Sequence, residues 1–236
     1  MKISIVTLFP NMIEGFFQES IVKRAIAKKL VEIEIINLRD FAVDDYGSVD
    51  DRPYGGGAGM VLRIEPIYKA LSKISNFQFP ISKQISKASN QKIVLTSPKG
   101  NLFTQKKAQR YSKLSQLIIL AGHYEGVDER VSDFIDEEIS LGDFVLTGGE
   151  IVVSAIVDSV VRLIPGVLQK KEATKQESFN VGGKKILEYP QYTRPENFKG
   201  LMVPKVLLSG DHKKIEAWRL KKAREETKKK RPDLLS

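Results

Sequence analysis

Cysteine is absent from the 236 residues, and histidine occurs only twice, at His123 and His212. A disulfide framework is thereby excluded, and a structural zinc site nearly so. A Ser-His-Asp hydrolase would have to use one of those two histidines, and neither lies near a nucleophile elbow. Long apolar runs are missing too. The most apolar stretch, "IVVSAIVDSVVRLIPGVL", is interrupted by Asp158, Arg162 and Pro165, so it reads as a buried helix and not a membrane span. The opening "MKISIVTLFP" is too short for the apolar region of a signal peptide, and no small-residue cleavage site follows it. The chain is expected to be soluble and cytoplasmic, without a membrane partner.

What is present is a core-forming composition and an excess of positive charge. Hydrophobic residues make up 42% of the chain, which argues against wholesale disorder. The length suits one large domain, or one domain with a small appendage. Net charge is +9 and unevenly placed: Asp211 to Ser236 holds ten Lys/Arg against five Asp/Glu, a net of +5. Such a tail is either a solvated helix face or an arm that neutralises phosphates. In the second case binding would weaken steeply with salt, because each neutralised phosphate releases counterions.

Along the chain, "KISIVTLF" and "EIEIINL" read as strands. Between them Met12, Phe16, Val22, Ile26 and Leu30 recur at roughly helical spacing, with Asn11 as a cap. Residues 40–60 read as a loop. "EPIYKALSKI" is a short helix with Pro66 in its first turn, and the polar stretch from Ser75 to Gln91 is expected to be mobile. A run of similar units follows. "KIVLTSPKG", "QLIILAGHYEG" and "EEISLGDFVLTGGE" each read as a strand ending in a glycine turn. "TQKKAQRYSKL", capped by Thr104, and "EIVVSAIVDSVVRLI" read as helices. This alternation predicts an α/β domain with a largely parallel sheet over residues 1–165. Residues 166–180 read as a polar linker. Residues 181–236 read as a small, basic, α-helical domain whose last helix docks through Ile215 and Trp218.

In open α/β sheets ligands bind beyond the carboxyl ends of the strands. "LTSPKG", "AGHYEG" and "LGDFVLTGG" are therefore candidate walls of one pocket. Glycine turns offer backbone N–H and C=O groups at close range, which suits a planar heterocycle with a ribose; they also simply turn corners. The segment "VDDRPYGGGAGM" (Val49 to Met60) is neither a dinucleotide fingerprint nor a Walker loop, because it lacks both registers. A phosphate cradle, a nucleic-acid contact and a plain surface loop all remain open for it.

In order along the chain come "LFP", "VDDRPYGGGAGM", "GHYEGVDER", "LGDFVLTGGE", "DSVVRLIPGVL", "YTRP" and "VPKVLLSGDH". Together they make the chain resemble the bacterial tRNA (guanine-N1)-methyltransferases of the SPOUT superfamily, over nearly its whole length. The resemblance implies a deep trefoil knot in the α/β domain, which periodicity cannot detect and which departs from the general rarity of knots. It implies a homodimer with each active site built from both chains, and S-adenosylmethionine as methyl donor. It places the adenosine contacts on Gly122 and on Leu141, Gly142, Asp143, Phe144, Val145 and Leu146. Leu95, Ser97 and Pro98 line the same pocket, with Tyr124, Glu125 and Gly126 in the adjacent turn and Gly148 and Gly149 closing it. Glu125 is the residue it puts beside a Mg2+ ion, whose preferred ligands are oxygens.

The implied reaction is methylation of N1 of the guanosine directly 3′ of the anticodon (position 37) in tRNA. N1 must lose a proton, and a positioned carboxylate can take it. The family's base is an aspartate just before "SF"; here "KQESF" offers Glu177, which adds one methylene and about 1.5 Å of reach. Arg162 is the second catalytic candidate, placed to stabilise charge developing on the guanine oxygen. Its alternative role is a helical salt bridge with Asp158. Asp50, Arg52 and Gly59 are expected near the target guanosine, although Asp51 and Arg52 could instead pair at the dimer interface. Gln191 and Arg194 of "QYTRP" are expected on the tRNA, and the basic domain on its anticodon arm. His123 stands where many relatives have arginine, and Gln191 where many have histidine. Two other readings stay open: a knotted methyltransferase acting elsewhere on RNA, and a non-catalytic RNA-binding protein.

Overall fold

The computed structural model of the protein describes residues 1–75, 90–169, 174 and 176–235. Most of the stretch expected to be mobile, Ser75 to Gln91, lies outside them. The chain divides into two compact units, Met1–Leu168 and Gln169–Ser236.

The first unit is built on five strands: β1 (Lys2–Thr7), β2 (Glu32–Asn37), β5 (Gln91–Leu102), β6 (Gln116–Ala121) and β7 (Glu137–Ser140). Their order is β2-β1-β6-β5-β7, and every pairing is parallel. A parallel sheet is covered on both faces, and the apolar residues of its central strands divide accordingly with a period of two. Ile3, Ile5, Leu117 and Ile119 enter one buried cluster, while Val6, Ile118 and Leu120 enter the other. The first cluster is closed by α1 (Asn11–Phe17), α2 (Ser20–Ala27), α4 (Gln105–Tyr111) and α5 (Glu150–Val161). The second is closed by α3 (Ile64–Ser75) through Ile67, Ala70 and Leu71. A hairpin of β3 (Asp50–Asp51) and β4 (Val61–Leu62) carries the glycine loop.

Several expectations need correction. The segment after β1 is two helices, not one: Glu19 is extended and Ser20 has φ of 50°, so the chain turns before helix resumes. The buried positions are Ile13, Phe17, Val22 and Ala25, whereas Met12, Phe16 and Ile26 are exposed. A break shifts the helical phase, which a single period cannot follow. Asn11 is the first helical residue and caps nothing; the N-cap is Pro10. Residues 40–60 are not wholly loop, since Asp50 and Asp51 pair with Leu62 and Val61. Thr104 does cap α4, its side chain accepting from the Lys107 amide at 3.4 Å.

Strand β5 is interrupted where it matters. Thr96 and Asn101 both pair with Ile139, so residues 97–100 bulge out of the sheet. A side chain at Gly100 would run into the backbone of Glu138 and Ile139, so only glycine lets the bulge close against β7. Beneath it the half-buried Glu137 carboxylate accepts from the Tyr111 hydroxyl at 2.7 Å and from Lys107 at 3.0 Å, with Lys92 at 3.5 Å.

The second unit contains a hairpin of β8 (Asn197–Phe198) and β9 (Leu201–Met202), the short α6 (Lys205–Leu208), and α7 (His212–Lys230). Asp211 caps α7 by accepting from the Lys214 amide at 3.1 Å. The helix is anchored through Ala223 and Thr227, which are fully buried, and the Thr227 hydroxyl accepts from the Leu187 amide at 2.9 Å. Ile215 and Trp218, expected as the docking face, are only half-buried. Small residues let the irregular segment at 181–189 approach the helix closely, which a search for large apolar side chains overlooks. No helix among the described residues is long and apolar enough to cross a membrane.

Candidate active site

Three backbone turns meet at one point. Thr96 leaves the central part of β5, Gly122 follows β6, and Gly149 precedes α5. The Gly122 amide donates to Thr96 Oγ1 at 3.0 Å, and the Gly149 amide donates to the Gly122 carbonyl at 2.7 Å. A Cβ on Gly149 would collide with Thr96 Oγ1 and come within 2.9 Å of the Gly122 nitrogen. Here the absence of side chains is a packing requirement.

Above that junction lies a cavity of about 340 Å3, within the usual range for small-molecule sites. Leu95, Ser97, Pro98, Gly122, Tyr124, Glu125, Gly126, Leu141, Gly142, Phe144, Val145, Leu146, Gly148 and Gly149 all line it. Asp143, named with them from the sequence, is not in the lining. Its neighbours hold a tight turn in which the Phe144 amide donates to the Gly142 carbonyl at 3.0 Å, and the Ser140 hydroxyl bridges the Gly142 amide and carbonyl. Phe144 and Val145 are exposed at the mouth. Thr96 and His123 also line the cavity and had not been singled out for the pocket. Both sit inside the quoted turns, so their position was legible although their role was not. Glu150, which the sequence places at the end of the third glycine turn and the start of a helix, lies directly behind the wall.

The glycine loop abuts this wall. The Glu125 amide donates to the Met60 carbonyl at 3.1 Å, and the Leu62 amide to the Gly126 carbonyl at 3.0 Å. Gly59 has φ of +83°, and a Cβ there would overlap Glu125, reaching within 2.6 Å of Oε1. Asp50, Arg52 and Gly59 thus belong to one hairpin next to the cavity turn. Arg52 is exposed, and its amide donates to Asp51 Oδ1 at 2.7 Å. Asp51 Oδ2 lies 3.5 Å from Arg63 of the same chain, so its counter-ion is local.

Among the described residues no three His, Cys, Asp or Glu side chains cluster closely enough to hold a metal ion. Among those residues Glu125 therefore has no companions for a protein-built Mg2+ cage. Arg162 follows α5, its amide donating to the Asp158 carbonyl at 3.2 Å. Glu177 belongs to the second unit and stands in a turn where its carbonyl accepts from the Asn180 amide at 2.9 Å. Gln191 and Arg194 are exposed in the same unit, on an irregular stretch that also carries Tyr192.

The family model described as tRNA (Guanine-1)-methyltransferase TrmD matches residues 1–236. The chain belongs to that family. Curated relatives carry the name tRNA (guanine-N(1)-)-methyltransferase. The one from Dictyoglomus turgidum is 52% identical over 235 residues, covering 100% of this chain and 90% of its own length. That from Clostridium tetani is 50% identical over 233 residues, covering 99% and 91%. That from Endomicrobium trichonymphae is 43% identical over 241 residues, covering 100% and 99%. Membership in a TrmD methyltransferase family means an enzyme that draws on a methyl donor and acts on tRNA.

Proposed function

We propose that the protein methylates N1 of the guanosine directly 3′ of the anticodon in tRNA, using S-adenosylmethionine. One observation carries the reading. Three strand-end turns converge at Thr96, Gly122 and Gly149, and line one cavity with main-chain groups and apolar side chains. Main-chain donors and acceptors read the edge of a base, and Leu95, Leu141, Leu146 and Val152 supply apolar contact for its faces. The sulfonium of the bound donor supplies an electrophilic methyl group.

The chain's own residues supply position and proton transfer. Gly142 leaves room for the Phe144 ring, which lies 2.9 Å from where its Cβ would stand, so the ring can fold toward the cavity mouth. The hairpin with Asp50, Arg52 and Gly59 brings donors, acceptors and bare backbone to the nucleic acid beside the cavity. Arg52 pairs with phosphate or stacks on a base. Glu177 of the partner subunit takes the N1 proton, and Arg162 steadies the charge that builds on the guanine oxygen. Glu125 would be the residue beside a Mg2+ ion, to which its carboxylate would offer the oxygen ligand such an ion prefers.

The same reading includes the knot and the dimer. Strand β7 pairs on the side of β5 away from β6. Yet Gly148 bridges back to His123, and Gly149 bonds Gly122, at the end of β6. These two links bring the segment from Leu141 to Gly149 back toward β6, which supports the trefoil that this reading includes. In this reading residues 1–165 are the donor-binding domain, and the basic domain at 181–236 grips the anticodon arm in the cytoplasm through phosphates, which position without specifying.

Unmodified tRNA incubated with the protein and labelled S-adenosylmethionine should yield 1-methylguanosine at position 37 on mass mapping. Methylation at another nucleoside would replace the substrate assignment. Failure to retain S-adenosylmethionine in equilibrium dialysis would remove it as the methyl donor.

A further inference from the structure

Behind the cavity wall lies a buried acid that the reaction above does not use. Glu150, in the first turn of α5, has no exposed surface. Oε1 accepts from the Thr7 hydroxyl at 2.7 Å, and Thr7 Oγ1 in turn accepts from the Phe9 amide at 3.0 Å. The hydroxyl's one proton is thus committed to the carboxylate. Oε2 has no hydrogen-bond partner among the described residues, and neither does Nδ1 of His123, 3.6 Å away. Both atoms are buried. Leaving either unsatisfied costs about 1–3 kcal/mol.

The two orphans face each other by construction. A side chain at Gly148 would occupy the space beside both His123 Nδ1 and Glu150 Oε2. Gly148 is also bridged to His123 through the backbone. The imidazole is held between Phe9 and Tyr124, each with ring centroids 4.7 Å away. A movement of about half an ångström brings the pair to hydrogen-bond length. The position of the proton then follows. With Oε2 as an acceptor, Nδ1 carries the hydrogen. The opposite tautomer would set two lone pairs against each other.

We infer that Glu150 is a positioning residue: it holds His123 with Nδ1–H turned inward, so that Nε2 presents a lone pair to the cavity. The group it receives is a hydroxyl or amino donor on the ligand, such as a ribose hydroxyl or an exocyclic amine. Glu150 acts only through the imidazole. The role of the ligand rests on the donor site proposed above; the tautomer does not.

The chain has only two histidines, and His212 is exposed at the start of α7, so a 15N-histidine spectrum is simple to read. In the ligand-free wild type His123 should show its proton on Nδ1. In Glu150→Gln, whose amide can donate to Nδ1, the proton should move to Nε2. A wild-type Nε2–H tautomer, or no change in the variant, overturns the inference. A second measurement asks whether Glu150 works through His123. Glu150→Gln should weaken S-adenosylmethionine binding about tenfold in the wild-type background, and not further in His123→Ala. Equal losses in both backgrounds would make Glu150 a purely structural acid. A wild type that binds no donor would count against the proposed function and leave the spectrum to decide the tautomer.

Discussion

The amide of Gly149 donates to the carbonyl of Gly122 at 2.7 Å, tying the entry of α5 to the end of β6. Thr96 sits against the same two residues, its hydroxyl accepting from Gly122. Three segments far apart in sequence are therefore locked at a point with no room for a methyl group. Gly149→Ala should cost roughly 1–3 kcal/mol of stability, the usual range for forced overpacking, and weaken donor binding at least tenfold. Urea unfolding and equilibrium dialysis measure the two. Wild-type affinity in the alanine variant would show that the junction does not shape the cavity.

Gly59 and Gly55 make a matched pair. Both have positive φ, +83° and +87°, but a Cβ on Gly59 overlaps Glu125 whereas one on Gly55 meets nothing within 4 Å. Each alanine variant bears the same backbone strain. Only Gly59→Ala pushes on the Glu125 side chain in the cavity turn. Methyl transfer should fall on the order of 10²-fold in Gly59→Ala, as for a small misplacement of reacting groups, and far less in Gly55→Ala. Similar losses in the two would mean that strain in the loop, and not the contact with Glu125, limits the rate.

Glu177 is tested by length as well as charge. Glu177→Ala should lower kcat by roughly 10²–10⁴, the range for a lost general base, with donor affinity unchanged. Glu177→Asp should keep most of the activity. If the alanine variant transfers methyl groups at a near-normal rate, the proton leaves by another route.

Acid stability should report the Glu137 cluster. Burial pushes this carboxyl up, but the Tyr111 hydroxyl, the Lys107 ammonium and Lys92 together bring it below the ordinary glutamate value. A lowered folded-state value stabilises above the unfolded pKa, about 4.3, and that stability is lost as pH falls through the folded value. Glu137→Gln should therefore be less stable at neutral pH and show a flatter decline between neutrality and strongly acid conditions. Thermal melts across that range decide it; parallel curves for the two proteins would mean that the carboxyl has the same pKa folded and unfolded.

Much of the cavity could be read from glycines at the ends of apolar runs. "AGHYEG" and "LTGGE" follow strands β6 and β7, and the parallel order puts their ends at one edge of the sheet. The helix after β1 was harder to read, because the break at Glu19 and Ser20 leaves no composition signal and shifts most of the buried apolar positions, although Val22 is buried as expected. Asp143 was drawn into the site by its neighbours, although the turn at Gly142 and Phe144 leaves it out of the lining.

Composition and periodicity by themselves determined the α/β character, the parallel strands and the carboxyl-edge pocket, because side-chain burial repeats with the geometry of the local backbone. Only the tertiary structure decided that residues 97–100 bulge, that Gly149 rests on Thr96 and Gly122, and that Glu150 faces His123. Those relationships join residues separated by 26 or more positions, or join atoms across a turn at a particular angle. Local spacing carries no record of either.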